Sequence, residues 1–258
     1  MTAEYLTVTE IPGNKATLEQ IRRLSHRYHL AAALSRDKDV LEIACGAGMG
    51  LGYLARTARR VVGGDIDRRV LAFAEERYRG RRNIELAKFD AQELPFAGRS
   101  FDVVLLFEAI YYLPRPEKFI TEAKRVLRPE GTLVICSVNK DWPDFNPSPL
   151  STAYFSAAEL ERLLRPHFRE IEAYGAFLAR VETSGDKIAS FLKRAAVKLG
   201  LMPKTMKGKE VFKRIFFGRL VPLPPEIEDG TADDTPPQPI AVDAAIPHYK
   251  VFYLVARL

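Results

Sequence analysis

The chain contains few cysteines and no long apolar run, and both features limit the classes of protein to which it can belong. Only two of its 258 residues are cysteines, which excludes a disulfide framework and indicates a reducing compartment. No apolar stretch approaches the ~18 residues of a membrane-spanning helix. Residues 1–10 carry two acids and no apolar core, which is unlike a signal peptide. We therefore expect a cytoplasmic protein.

Metal-binding patterns and repeats are also missing. The chain has four histidines, and no cluster of His, Cys or carboxylate residues shows the spacing of metal ligands. It contains no heptad and no other internal repeat. The length suits one domain with an elaboration rather than two domains. The sequence thus predicts a single globular unit, and it predicts no metal site.

A glycine-rich turn follows a strand-like segment early in the chain. Residues 40–44 are apolar except for Glu42, and glycines follow at positions 46, 48 and 50. Glycine permits positive φ and a close approach of the backbone to a ligand, and residues 51–58 have the composition of a helix. Strand, turn and helix in this order predict a site for a nucleotide-type cofactor.

The charge of Glu42 indicates which cofactor this is. The dinucleotide pattern GxGxxG needs a glycine at position 51, where this chain has Leu51. A carboxylate at the strand end would repel two phosphates, whereas it would attract a ligand that carries an ammonium and a sulfonium group. The sequence therefore predicts S-adenosylmethionine. The alternative is a purely structural turn with a solvated Glu42.

A second acid stands at the spacing expected for a ribose contact. Residues 61–65 form a short apolar segment that ends at Asp65, 19 residues after Gly46, close to the ~20 typical of a ribose-binding acid. Asp67 is expected to cap the next helix, with Arg68 and Arg69 on its solvated face.

Strand and helix patterns continue to alternate along the chain. The predicted elements are strands at 83–89 and 100–107, a helix at 117–127 and a strand at 131–138. A polar loop between the first two of these strands contains Asp90, which could accept a hydrogen bond from an adenine amino group. This alternation predicts an open, mostly parallel sheet with right-handed crossovers.

Four ordered segments resemble those of the class I S-adenosylmethionine-dependent methyltransferases of the small-molecule type. They are residues 42–50 (EIACGAGMG), 64–67 (GDID), 90–96 (DAQELPF), and 101–108 (FDVVLLFE) ahead of 125–131 (RVLRPEG). The resemblance covers roughly residues 17–180 and the last strand. It implies an α/β, Rossmann-like sheet of seven mostly parallel strands, with helices on both faces and an antiparallel last strand. Residues 169–174 and 249–257 would supply the closing pair.

The same resemblance implies which residues contact S-adenosylmethionine. The methionine part would contact Glu42, Ala44, Gly46 and Gly48, and the ribose would contact Asp65. The adenine would contact Ile66, Asp90 and Ala91, and the methyl end would contact the backbone of Phe107. An N-terminal helix, opened by a capping box at residues 17–20, would cover the donor. Arg27 and Tyr28 on this helix would then contact the donor's carboxylate. A solvated Arg27 and a core Tyr28 are the alternatives.

The catalytic pattern departs from that of many small-molecule relatives, which carry a histidine after the fourth strand. This chain reads Phe107-Glu108-Ala109-Ile110-Tyr111-Tyr112 there. Methyl transfer depends mainly on positioning, and it needs a base only if the acceptor must lose a proton. Tyr111 and Tyr112 are therefore our catalytic candidates, to orient or deprotonate an acceptor hydroxyl. Packing residues with satisfied hydroxyls are the alternative.

Residues 181–247 are predicted to be an insertion between the last two strands, so that residues 1–180 and 248–258 form the methyltransferase domain. Residues 184–219 contain ten lysines or arginines against two acids, and they include a basic amphipathic helix at 187–199. This part is interpreted as a helical lid over the pocket.

The last part of the insertion is acidic rather than basic. Residues 221–247 contain seven prolines and six acids, which predicts an extended or partly disordered loop.

The basic lid leaves several acceptor classes open. It could cover an acceptor that carries phosphate, meet a membrane surface, meet nucleic acid, or be an ordinary solvated helix face. Nucleic acid ranks last, because no RNA-binding module or base-stacking motif accompanies the charge.

We therefore expect methyl transfer to an oxygen, or less readily a nitrogen, of a small or glycan-like acceptor. This acceptor could be linked to a phosphate or to a lipid. The alternatives are an RNA or protein methyltransferase and an inactive protein that binds S-adenosylmethionine. A nucleotide-dependent oxidoreductase is disfavoured by Leu51 and Glu42.

Overall fold

Strands and helices alternate along the chain as predicted. The computed structural model describes residues 5–148, 150–179, 220–232 and 235–258. The elements, in chain order, are a 3₁₀-helix (Tyr5–Thr7), β1 (Lys15–Thr17), α1 (Leu18–Ser35), β2 (Asp39–Ile43), α2 (Leu51–Leu54), β3 (Arg60–Asp65), α3 (Arg68–Arg77), β4 (Ile84–Lys88), β5 (Phe101–Phe107), a second 3₁₀-helix (Ile110–Tyr112), α4 (Pro116–Val126), β6 (Leu127–Val138), α5 (Ala157–Leu164), β7 (Glu170–Leu178), β8 (Leu220–Pro222), β9 (Gln238–Pro239) and β10 (Tyr249–Arg257).

The main sheet has the order β4-β3-β2-β5-β6-β10-β7-β9 within the described residues. The first five of these strands are parallel, and β10 runs antiparallel between β6 and β7. The expected α/β sheet with its antiparallel last strand is confirmed. The two-residue edge strand β9 makes eight strands where seven were predicted, and β1 pairs with β8 in a separate ribbon.

Both faces of the sheet are covered, and side chains of β2 alternate between them. Leu41 and Ile43 belong to a core shared with α4 and α5, while Val40 belongs to a core shared with α1, α2 and α3. Glu42 shares the face of Val40 because successive strand residues point to opposite faces. Glu42 is therefore directed at α1, where its carboxylate meets the Tyr28 hydroxyl.

Sequence signals at the helix ends mostly agree with the ends seen in the structure. Thr17 and Gln20 form the predicted capping box at α1, and the Asp67 side chain caps α3 by accepting from the N–H of Arg69. The helix predicted at 51–58 is shorter, because α2 ends at Leu54 and tighter turns follow. The chain must turn back there to enter β3, so only one turn of regular helix forms.

The predicted insertion divides into two parts. Its basic part, with the helix predicted at 187–199, lies outside the described residues. The described residues of the acidic part, predicted as an extended or partly disordered loop, contain only the short strands β8 and β9, and Leu223, Ile227 and Ile246 among them are buried. Apolar side chains between the prolines supply burial that compensates for the polar composition.

A buried acid also ties this acidic part to the body of the fold. Glu226 is buried between the guanidinium groups of Arg77 and Arg81, at 3.3 and 3.1 Å.

Among the residues that the structure describes, no helix is both long and apolar enough to cross a bilayer.

Candidate active site

The turn after β2 is shaped by residues with positive φ. Ala44, Gly46 and Gly48 have φ values of 55°, 57° and 72°. A Cβ placed on Gly46 would lie 3.0 Å from Cγ2 of Thr9, so the N-terminal segment packs closely on the turn. A Cβ on Gly48 would lie 2.6 Å from that of Ala74 in α3. Glycine is thus needed at positions 46 and 48 for space as well as for conformation.

A cavity of about 530 Å³ lies at the carboxyl ends of the parallel strands. This edge is where open α/β sheets bind ligands. Ten of the eleven residues predicted to contact S-adenosylmethionine line the cavity, namely Arg27, Tyr28, Glu42, Ala44, Gly46, Asp65, Ile66, Asp90, Ala91 and Phe107. Gly48 is not among the lining residues, because it packs on α3 and its carbonyl accepts a hydrogen bond from Tyr78. Tyr111 and Tyr112 also line the cavity.

Glu42 is buried, and only one of its carboxylate oxygens has a hydrogen-bond partner among the described residues. Oε1 accepts a 2.6 Å hydrogen bond from the Tyr28 hydroxyl, while Oε2 is buried without a partner. Burial raises the pKa of Glu42 to about 7, although the Tyr28 hydrogen bond and the charge of Arg27 act in the opposite direction. An unpartnered buried acceptor at a cavity wall suits a ligand that brings N–H donors and positive charge.

Arg27 is buried beside Tyr28 and is paired with an acid. Its guanidinium lies 2.6 Å from Oε2 of Glu10. Burial opposes the charge, but the Glu10 and Glu108 carboxylates raise the pKa of Arg27 well above its usual range. Its Nε is buried and, within the part of the chain described, has no hydrogen-bond partner. Arg27 is therefore not a solvated side chain, and it retains a donor at the cavity.

Three further predicted residues stand along the edge formed by β3 and β4. The Asp65 carboxylate accepts hydrogen bonds from the N–H groups of Gly46 (3.0 Å) and Asp67 (2.9 Å), and burial raises its pKa. Ile66 keeps 48% of its surface exposed although it lines the cavity. Oδ1 of Asp90 accepts from the backbone N–H two residues further on, at 2.8 Å. The edge thus offers carboxylates on both sides of an uncovered apolar side chain.

Aromatic rings form another part of the cavity wall. The Tyr111 hydroxyl donates to Glu108 at 2.9 Å, and its ring stacks on Tyr154 at 4.4 Å between centroids. Tyr112 meets Tyr111 and Tyr5 edge-on, at 4.7 and 5.8 Å. Burial raises the pKa of Tyr111 well above its usual range and raises that of Tyr112. Both phenols are therefore protonated near neutral pH, which disfavours their predicted role as bases and leaves hydrogen-bond donation.

The cavity wall also contains residues that the sequence did not single out, among them Tyr5, Glu10 and Glu108. Tyr5 and Glu10 precede the first predicted element, and no local pattern connects them with the turn. Glu108 follows a predicted strand directly, which was an available signal, but its φ of 52° is visible only in the structure. These residues reach the cavity through contacts between distant parts of the chain.

Comparison with known proteins agrees with this architecture. Residues 41–135 match the family described as "Methyltransferase domain". Solved structures with the same fold include a SAM-dependent methyltransferase from Thermotoga maritima (TM-score 0.57, 17% identity, 92% of this chain and 91% of that one). The YcgJ protein from Bacillus subtilis is similar too (TM-score 0.60, 15% identity, 90% of this chain and 97% of that one). At these identities the likeness shows the fold alone.

Curated relatives extend the match to the sequence. The chain is 33% identical over 198 residues to a protein of Mycolicibacterium smegmatis named probable S-adenosylmethionine-dependent methyltransferase, which covers 72% of this chain and 75% of the relative. It is 42% identical over 108 residues to a fatty-acid O-methyltransferase of the same organism, of which it spans 39%. A Mycobacterium ulcerans phthiotriol/phenolphthiotriol dimycocerosates methyltransferase is 41% identical over 42% of each chain. The chain therefore belongs to the class I S-adenosylmethionine-dependent methyltransferases.

Proposed function

We propose that the cavity holds S-adenosylmethionine with its ammonium group at Glu42. The supporting observation is the buried Oε2 atom of Glu42, which has no partner among the described residues and needs a donor. Arg27, with its unpartnered Nε, is placed to hold the donor's carboxylate. When bound, S-adenosylmethionine supplies a methyl group on a positively charged sulfur. Glu42 thus anchors the methionine end of the donor.

The nucleoside part is assigned to the β3–β4 edge of the cavity. Asp65 retains lone pairs beyond its two backbone hydrogen bonds, so its carboxylate can accept from ribose hydroxyls. The exposed face of Ile66 supplies an apolar surface for the adenine ring, which would cover it. Asp90 and Ala91 then stand at the adenine edge, and the end of β5 at Phe107 stands near the methyl group. Gly48 acts behind the turn, by allowing α3 to pack closely.

The acceptor is assigned to the aromatic part of the cavity wall. Apolar and aromatic side chains of this wall are those of Tyr5, Val8, Tyr112, Leu113, Pro114 and Val138. Such a wall favours a hydrophobic acceptor over a highly charged one. Two relatives have names that specify fatty acids and phthiotriol dimycocerosates, both lipids. We assign this chain a small lipid-like acceptor whose oxygen is methylated.

Tyr111 and Tyr112 are assigned to orienting the acceptor. Both phenols stay protonated. The Tyr111 hydroxyl already donates its one proton to Glu108, so toward an acceptor molecule it can only accept a hydrogen bond. The Tyr112 hydroxyl, whose partner Ser148 lies 3.4 Å away, can donate to an acceptor oxygen. Rings packed at 4.7 Å are also held rigidly, which lowers the entropy lost on placing the acceptor. Their contribution is therefore positioning rather than proton transfer.

A labelled-donor assay tests the proposed function. The full chain is incubated with S-adenosylmethionine labelled in its methyl group and with hexadecanol, hexadecanoic acid or hexadecylamine. Label in the ether or ester product, at rates above that for the amine, supports methylation of a lipid oxygen. Label only in the amine, or in none of the three while the donor still binds, contradicts it. Because Glu117 is exposed on α4, the Glu117→Gln variant serves as the control with unchanged activity.

A further inference from the structure

Glu108 is the one acid that directly follows β5, at the edge where the methyl end of the donor is assigned. Its φ of 52° places a non-glycine residue in the left-handed region, a conformation that costs free energy and that surrounding contacts must hold. The Glu108 N–H donates to the carbonyl of Cys136 at 2.9 Å, which fixes this conformation. As a result the Glu108 carboxylate forms part of the cavity wall.

Neutral groups hold this carboxylate. Oε2 accepts from the Tyr111 hydroxyl at 2.9 Å, and Oε1 lies 3.8 Å from the thiol of Cys136. A thiol is a weak hydrogen-bond donor, and neither group carries a positive charge. The negative charge of Glu108 therefore has no direct ion-pair partner among the described residues.

The cations of the cavity wall are already paired with other acids. Arg27 forms its ion pair with Glu10, and Arg23 forms one with Glu19, both at 2.6 Å. Arg27 is also close enough to Glu108 for electrostatic attraction, but its single charge faces two carboxylates. The uncompensated charge beside the part of the cavity that we assign to the acceptor is consequently negative.

We infer that Glu108 is a catalytic base and that the acceptor is a neutral hydroxyl, an alcohol or a phenol, rather than a carboxylate. This inference rests on the proposed function. The acceptor oxygen forms a bond to the methyl carbon, and the carbon–sulfur bond breaks with its electron pair moving to sulfur. The hydroxyl proton passes to the Glu108 carboxylate, and S-adenosylhomocysteine remains as the neutral thioether.

Two physical arguments favour a hydroxyl acceptor. A hydroxyl oxygen is a weak nucleophile until it loses its proton, so a positioned base accelerates the reaction. A carboxylate acceptor would need no base, and it would be repelled by a carboxylate a few ångströms away in a partly buried site. Tyr111 serves as a positioning residue for Glu108, because its hydroxyl holds one carboxylate oxygen while its ring is fixed on Tyr154.

The test compares Glu108→Gln with wild type and with the exposed control Glu117→Gln, using hexadecanol and hexadecanoic acid as probes. With hexadecanol, Glu108→Gln is expected to lower kcat by about a hundredfold or more, the usual contribution of a general base, and to change KM about twofold or less. Binding of S-adenosylhomocysteine, measured by calorimetry, is expected to remain within about twofold of wild type. That measurement shows that the variant is folded and that its donor site is intact.

Two results would overturn the inference while leaving the proposed function in place. One is faster methylation of hexadecanoic acid than of hexadecanol by the wild type, and the other is an unchanged kcat for hexadecanol in Glu108→Gln. If neither probe is methylated while S-adenosylhomocysteine still binds, the proposed function fails and the inference fails with it.

Discussion

The hydroxyl of Tyr28 donates a 2.6 Å hydrogen bond to Glu42, joining α1 to the central strand β2. This bond satisfies one oxygen of a buried carboxylate and leaves the other without a partner among the described residues. Because both residues line the cavity, the bond also fixes the position of the group that we assign to the donor's ammonium.

Replacing Glu42 with Gln is expected to weaken the binding of S-adenosylmethionine by roughly tenfold to a hundredfold. The amide keeps the shape of the side chain but removes the charge that attracts an ammonium, and hydrogen bonds to charged groups contribute about 1.5–3 kcal/mol. Calorimetric titration of the donor measures the effect. Unchanged affinity would show that the ammonium binds elsewhere.

The affinity for S-adenosylmethionine is expected to rise as the pH increases through about 7, the pKa of Glu42 in the folded protein. Below this pH the carboxyl group is protonated and must lose a proton for the charged contact to form, which costs up to about tenfold in affinity per pH unit. The Tyr28→Phe variant lacks a hydrogen bond that lowers the pKa of Glu42, so its rise should occur at higher pH. A flat profile in both proteins would count against the assignment.

The free energy of unfolding of the ligand-free protein should also depend on Glu42. Its folded pKa of about 7 lies above the ordinary value of 4.5, so the folded state binds the proton more tightly than the unfolded state. This contribution is complete below pH about 4.5 and is lost as the pH rises through about 7, a change of the order of 3 kcal/mol. Denaturant unfolding of wild type and Glu42→Gln measures it. Parallel pH profiles for the two proteins would refute the prediction.

Gly50→Ala is expected to lower both stability and donor affinity. A Cβ at this position would lie 1.9 Å from Cε1 of Tyr28, so the ring must move and its bond to Glu42 must break. Overpacking of this kind costs about 1–3 kcal/mol of stability. The control is Gly80→Ala, where the φ of 85° is unfavourable for alanine but no atom lies within 4 Å of the added Cβ. The control should lose stability and keep its donor affinity; loss of affinity in both variants would point to a general folding defect.

Asp65→Ala is expected to weaken donor binding by about 1–3 kcal/mol, because ribose hydroxyls lose their acceptor. The change also removes the side-chain acceptor of the Gly46 N–H, so thermal unfolding should be recorded alongside calorimetry. Alanine at the exposed Asp243 is the matched control. If the two variants bind S-adenosylhomocysteine equally well, Asp65 does not contact the ribose.

Local sequence determined most of the fold and drew attention to the residues that we assign to the donor. Buried strands, a glycine turn and helix caps are set by residues a few positions apart, so the turn after β2, the end of β3 at Asp65 and the capping box of α1 could be predicted. The antiparallel last strand followed from the family resemblance, and the parallel character of the rest of the sheet followed from the alternating strand and helix patterns. The exact length of a helix was not predictable, since α2 ends at Leu54 although a helix was predicted at 51–58.

Tertiary structure decided which residues form the part of the cavity that we assign to the acceptor, and it decided the protonation of the buried groups. The partnership of Tyr28 with Glu42, the pairing of Glu10 with Arg27, and the packing of Tyr5 on Tyr112 all join segments distant in sequence. The burial of Glu226 against Arg77 of α3 likewise depends on a contact across 149 positions. The pKa of a carboxyl group depends on the solvent it loses and on the charges it meets, and both are fixed only when the chain has folded.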